Sequence, residues 1–337
     1  MNLFVIRGLP SFKKFGISFL ILLAAFTSAS ACDICGCFMG ITPYDNQSSI
    51  SLLYRYRSFN GYHGQNQSLF PSGANFLPAG NKLDAPLTNH NGDPSDLEVY
   101  RALEVRARYF LSKRIELNAI VPYNSNSERY NGNLNTVAGI GDVNIYSGYH
   151  LLRKLDQKKV NQRLIVGAGF KLPTGSNDAT NFQGLRLSTL SQTGTGSTDG
   201  FIYFNYLVGY KRSGASLSST YKMNGENAEK ESIANSNTTF LNFFHNVTLS
   251  KKLQLVPSVQ IAYEYSAGEK YNGVKTGEHR MNNLMTGIGA DLFINNITLN
   301  MALQSKAWTV KDDHPMPAGR VVLGVTYNFN QLYYLLN

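Results

Sequence analysis

Beyond residue 37 this chain of 337 residues contains no cysteine, so thiol chemistry and any disulfide are confined to one short segment near the N-terminus. No block of basic residues interrupts it. The formal charge is +9, and it falls to +6 when the three basic residues of the first 31 positions are set aside from 31 Lys and Arg against 22 Asp and Glu. That mild, dispersed charge argues against nucleic acid as a partner. No apolar run is long enough for a membrane-spanning helix: the longest, Ile17 to Phe26, falls well short of the ~20 residues a helical span needs. A hydrolytic constellation is missing too. Ser147 and His150 stand three apart on an alternating segment, so they face opposite sides. Asp312-Asp313-His314 reads as a polar loop tip. His63, His90, His279 and His314 have no metal-ligand spacing. The chain is not expected to be an enzyme.

What is present begins with an export signal. Arg7, Lys13 and Lys14 precede the apolar run, and Ala29-Ser30-Ala31 is a small-x-small cleavage pattern. This predicts a signal peptide over 1–31. Next comes a Cys-rich periplasmic segment over 32–46, a body over 47–330 and a tail over 331–337. Tyrosine (20) and phenylalanine (19) outweigh the single tryptophan, and there are 30 glycines, a composition for strands and turns.

The body alternates with a period of two. In 49–57, Ile50, Leu52, Tyr54 and Tyr56 face one way, and Ser51, Leu53, Arg55 and Arg57 the other. The pattern recurs over 97–111, 115–123, 141–152, 163–173, 201–211, 216–224, 239–250, 253–265, 284–294, 297–308 and 320–329, which makes twelve strands. Arg101 is the exception on the apolar face of the second, marking either a rim or a wrong register. Between strands, long connections (59–96, 125–140, 174–200, 225–238, 266–283, 309–319) alternate with shorter ones (112–114, 153–162, 212–215, 251–252, 295–296). A soluble sandwich has no reason to do this. An antiparallel transmembrane β-barrel does, with short periplasmic turns, long outer loops and an even strand number. The all-β fold expected is therefore a barrel of about twelve strands in the outer membrane, surrounded by its lipids. Tyr109, Tyr123, Tyr149, Tyr210, Tyr265 and Tyr327, at the ends of apolar faces, suit an aromatic girdle.

Three stretches, GIGDVNIYSGYHLL (139–152), VGAGFKLPTGSND (166–178) and TGTGSTDGFIYFNYLVGY (193–210), resemble the outer-membrane barrel family labelled as a MetA-pathway of phenol degradation, or simply "transporter". The C-x-x-C-x-C start resembles a subset of that family in the Bacteroidetes. The resemblance implies a porin-like channel; its phenol label names a genetic context rather than a substrate. By themselves, Gly139, Gly141, Gly167, Gly169, Gly175, Gly194 and Gly196 read as places where strands bend or backbones approach.

Parity assigns an inward set that is rich in charge: Arg55, Arg57, Glu98, Glu104, Arg106, Arg108, Glu116, Asp142, Lys171, Lys211, Lys222, Glu264, Asp291 and Lys306. Such a lining is either a network of ion pairs or the wall of a path for a small polar solute. The cysteine segment has three open readings. Cys32, Cys35 and Cys37 with Met39 form a soft-ligand cluster suited to Cu(I) or Zn(II). Alternatively, Cys32 and Cys35 close a disulfide in the oxidising periplasm, or Cys32 carries a lipid. The functional expectation is a channel for small solutes with a metal ion handled at its mouth. The alternative is a closed barrel that anchors a metal-binding or redox segment for a periplasmic partner.

Overall fold

In the computed structural model, which describes residues 47–60, 97–130, 133–154, 160–181, 183–275, 281–309 and 316–329, the alternating segments are strands. In chain order they are β1 (Ser48–Asn60), β2 (Leu97–Phe110), β3 (Ile115–Tyr130), β4 (Asn133–Ile140), β5 (Val143–Lys154), β6 (Asn161–Leu172), β7 (Asp199–Tyr210), β8 (Ser213–Met223) and β9 (Glu231–Ile233). There follow β10 (Ser236–His245), β11 (Val247–Ser250), β12 (Leu253–Ser266), β13 (Glu269–Tyr271), β14 (Val274–Lys275), β15 (Met281–Ile294), β16 (Ile297–Thr309) and β17 (Met316–Phe329). The described residues contain no helix.

Twelve of these close a barrel. Each pairs antiparallel with its neighbour in the order β1, β2, β3, β5, β6, β7, β8, β10, β12, β15, β16, β17, and β17 returns to β1 through Ser48↔Phe329 to Asn60↔Met316. β4 continues the line of β5, pairing with the outer half of β3 while β5 pairs with the inner half. β11 likewise continues β10 along β12. The stretch 125–140, expected to be a long loop, is instead this β3–β4 hairpin, from Tyr123↔Ile140 to Tyr130↔Asn133. Above the rim, β9, β13 and β14 form a separate three-stranded sheet.

The two faces are inverted relative to a soluble protein. Ile50 is 54% exposed on the outside, whereas the charged Lys171 on the inside is fully buried. Leu52, Leu103, Val105, Ile145, Phe170, Ile202, Val259, Ile288 and Leu323 share the exposed outer belt. Only lipid makes such a belt favourable, and closure leaves no strand edge unpaired in it. The barrel therefore resides in the outer membrane. Tyr109, Tyr149, Tyr210 and Tyr327 are exposed near the short-turn end, and Arg114 Nη1 donates to the Tyr149 hydroxyl at 3.3 Å. Arg101 keeps the expected register opposite Tyr56 and lies near the loop end of β2. Its guanidinium sits 6.0 Å over the Tyr56 ring and donates to Ser127 Oγ at 3.3 Å, so it belongs to the rim.

Candidate functional site

The barrel interior divides into two halves. Along β3 to β8 it is filled by the connection between β6 and β7. Leu187, Ser188, Thr189, Ser191, Gln192, Thr193, Thr195 and Ser197 of that connection are all buried. The segment descends the inward face of β3 one rung at a time. Asn124 Nδ2 donates to the Thr193 carbonyl at 2.8 Å, Asn126 Nδ2 to the Gln192 carbonyl at 2.8 Å, and Ser191 Oγ to Glu128 at 2.7 Å. Because strand residues two apart point the same way, a run of inward amides can hold consecutive backbone carbonyls of a loop.

Asp142 is the hub of this half. It lies in the two-residue break between β4 and β5, after Gly141. Its carboxylate accepts from Gly175 N at 3.0 Å, Thr195 N at 2.9 Å, Thr195 Oγ1 at 3.0 Å and Lys171 Nζ at 2.7 Å. Lys171 also touches Thr195 Oγ1 and pairs with Asp199 at 2.9 Å; Lys222 pairs with the same Asp199 oxygen at 2.9 Å. The two turns that meet over Asp142 leave no room for side chains. A Cβ on Gly175 would lie 2.7 Å from Gly194 Cα, and one on Gly194 would lie 2.6 Å from Gly175 Cα. Asp178, exposed on the same connection, has its carboxyl held below its ordinary value by the hydrogen bond from the Ser176 hydroxyl.

Along β1, β2, β12 and β15 to β17 the interior is lined by charge instead. Arg57 and Arg320 are direct cross-strand partners on β1 and β17, an arrangement of like charges that would repel. Glu264 of β12 lies between them, accepting from Arg57 Nη2 at 2.7 Å and from Arg320. Glu104 repeats the arrangement, gripped by Arg55 and by Arg106, the latter at 2.5 Å. Gln304 Nε2 donates to Gln260 Oε1 at 2.8 Å, and Gln304 Oε1 accepts from Arg320 at 3.2 Å, tying β16 to its neighbours. Between this wall and the inserted connection lies a cavity of about 100 Å³, bordered by Arg55, Arg57, Arg320, Glu98, Glu104 and Phe59 on one side and by Thr189, Gln192, Thr193 and Thr195 on the other.

The segments that meet at Asp142 lie within the stretch of the chain that matches a known family. The model of the family described as "Putative MetA-pathway of phenol degradation" matches residues 94–309. The chain belongs to that family. No curated protein matches its sequence. Among solved structures it is similar to the COG4313 outer membrane channel from Pseudomonas putida F1, with a TM-score of 0.59 and 12% identity over 86% of this chain and 97% of that one. It also aligns with the β domain of the Bordetella autotransporter BrkA, with a TM-score of 0.46 and 10% identity over 85% of this chain and 100% of that one. At these identities the likeness is one of fold.

In this member of the family, Glu98, Glu104, Asp142, Lys171, Lys222, Glu264 and Asp291 are buried inside the barrel, and Arg55 and Arg57 line its cavity. Arg106 and Arg108 share their inward face of β2. Glu116 meets His150 Nε2 at 3.2 Å, and Arg108 lies 5.7 Å over the Phe110 ring. Asn300 Nδ2 donates to Asp291 at 2.6 Å. Two residues expected in the lumen differ. Lys211 is the first residue of the β7–β8 turn, exposed, in the left-handed region (φ 54) and folded back 5.2 Å over the Tyr210 ring. The strand ends at Tyr210, so the inward parity no longer applies one residue later. Lys306 pairs with the inward Met285, beside a register shift at Leu284/Met285, and is exposed rather than buried. Cys32, Cys35, Cys37 and Met39 lie outside the described residues, as do His63, His90, His279 and His314. The sequence pattern reads the inserted connection as a long loop between strands, not as a lumen element. The density of Ser, Thr and Gly in 188–200 was its only trace.

Proposed function

We propose that this protein is an outer-membrane channel for small polar solutes. The observation that carries the reading is the pairing of an apolar outer belt with a lumen of buried charge around a cavity, between a fixed wall and an inserted segment. Buried charge on this scale is tolerated where it is paired and partly hydrated, and water is what a polar solute needs. The similar Pseudomonas structure is an outer membrane channel, which supports the same reading. Purified barrel in planar bilayers is expected to give discrete conductance steps. A barrel silent at every voltage would favour the closed anchor for a periplasmic partner.

The reading extends to a soft metal through the sequence alone. Cys32, Cys35, Cys37 and Met39 supply a thiolate and thioether set for Cu(I) or Zn(II) just ahead of β1. Elemental mass spectrometry of the same preparation, kept reduced, is expected to find metal that a triple Cys→Ser variant lacks. Equal metal in both would remove this extension and leave the channel standing.

A further inference from the structure

We infer that the short-turn end of the charged half, around Asp291, is a binding site for a monovalent alkali cation such as Na⁺ or K⁺. The inference goes beyond the channel reading and does not depend on conduction. The first argument is an unbalanced carboxylate. Guanidiniums hold Glu104 and Glu264, ammonium groups hold Asp142 and Asp199, and His150 meets Glu116. Asp291 differs. It is 6% exposed, and among the described residues its one side-chain bond comes from the neutral Asn300 Nδ2, at 2.6 Å. The register shows why no cation of these strands reaches it. Beside it on the inward face stand Val256 and Ser258 of β12, Thr298 and Asn300 of β16, and Gly289 and Phe293 of its own strand, none of them charged. Lys251 and Lys252, in the turn before β12, are exposed. A buried carboxylate without such a partner takes either a cation from solution or a proton.

The second argument is an excess of acceptors. Gln254 Oε1 is buried and receives no hydrogen bond. Gln254 pairs with Phe293 and Val256 with Asp291, so Gln254 stands diagonally across from Asp291, where a long side chain reaches. Asn328 Oδ1 is also buried without a donor, while its Nδ2 is spent on Thr298 Oγ1 at 3.1 Å and on the Asn296 carbonyl at 3.3 Å. The under-used groups of Asp291, Gln254 and Asn328 are thus all oxygens, one carboxylate and two amide carbonyls. Oxygen ligands select a hard cation, and a single carboxylate among neutral oxygens balances one charge, not the two of calcium. A small anion would meet acceptors only. The amide N–H from Asn300 favours the ionised carboxylate over the protonated one. Asp291 stands three residues before the end of β15, so ions reach it from the short-turn side.

The test is sodium NMR relaxation of NaCl with the full-length barrel in a non-ionic detergent. A saturable excess of relaxation is expected, displaced by KCl and not by choline chloride, whose cation is too bulky for a buried site. Asp291→Asn keeps the shape and the place of the Asn300 bond but loses the charge, and Na⁺ affinity is expected to fall about tenfold or more. Heat-dependent gel mobility verifies that the variant is folded. A parent barrel with no saturable excess, the result if a proton neutralises Asp291, would overturn the site without any variant. So would choline displacing Na⁺ as well as K⁺ does, or a folded Asp291→Asn barrel that binds Na⁺ as tightly as the parent. Planar-bilayer recording bears on the channel reading alone. Conductance without the saturable excess keeps the channel and removes the site, and the excess in a silent barrel keeps the site and removes the channel.

Discussion

The two halves of the lumen solve one problem in different ways. Both bury carboxylates. On the β3 to β8 side each is saturated by donors fixed in the chain: Asp142 takes two backbone N–H groups, a hydroxyl and an ammonium, and Glu128 takes the Ser191 hydroxyl and the Asn135 amide at 3.2 Å. On the β1 and β17 side Glu104 and Glu264 are each shared by two guanidiniums. Backbone donors are fixed in number and position, so they hold a segment in place. Guanidiniums sharing a carboxylate instead tie strands together through charge-assisted side-chain bonds. The first half is filled by the chain's own inserted segment, and the second holds its strands together by shared charge beside a cavity.

The largest expected effect lies at the hub of the filled half. Asp142→Ala removes the acceptor of four donors at once and leaves Lys171 with Asp199, which Lys222 already claims. Breaking a buried charge pair from one side costs about 3–5 kcal/mol, and urea unfolding followed by gel mobility should register a loss of that size. Limited proteolysis should then cut within 187–197, buried in the parent barrel. An Asp142→Ala barrel that unfolds at the parent's urea concentration would show that the inserted segment is held elsewhere.

Glycine substitutions sharpen the contrast. Gly167, in the filled half, would place a Cβ 2.3 Å from the Ser147 carbonyl and 2.4 Å from the Tyr203 ring, neither of which can yield easily. Tyr203 is itself wedged against Tyr146, with ring centroids 5.5 Å apart. Gly324, in the charged half, would place its Cβ 2.7 Å from Leu53 Cδ1, the free end of a rotatable side chain. Overpacking costs about 1–3 kcal/mol where neighbours are rigid, so Gly167→Ala should lose that much and Gly324→Ala less than about 1 kcal/mol. Equal losses in chemical denaturation would remove the distinction between a rigid and a yielding half.

How much of this was legible depends on what sets each feature. Membrane strands are set by period-two burial against lipid, so the faces of 49–57 and 97–109 could be read directly. Leu53 is 4% exposed inside and Leu52 49% exposed outside, as their parity requires. The reading weakens where lipid no longer selects one face. In 125–140, polar residues lie on both sides, and a hairpin looks like a loop. It fails for the inserted segment, because Ser, Thr and Gly between strands ordinarily mean a solvated turn, whereas contacts with Asn124, Asn126, Glu128 and Asp142 bury this one. Parity could say that Arg57 and Glu264 both face inward. It could not say that they meet across 207 residues, since that follows from the closure of the barrel.

Within the charged half, a smaller effect than at Asp142 is expected at Arg106. Arg106→Gln removes one of the two guanidiniums on Glu104, including the Nε bond at 2.7 Å, and leaves the carboxylate with Arg55. No buried charge loses its last partner, so the loss should be about 1.5–3 kcal/mol, the value of hydrogen bonds to a charged group, against about 3–5 kcal/mol for Asp142→Ala. Urea midpoints of the two variants, measured side by side, decide whether sharing really makes a guanidinium dispensable. If Arg106→Gln destabilises the barrel as much as Asp142→Ala does, the arginines are structural members like the loop's donors. The contrast between the two halves of the lumen would then disappear.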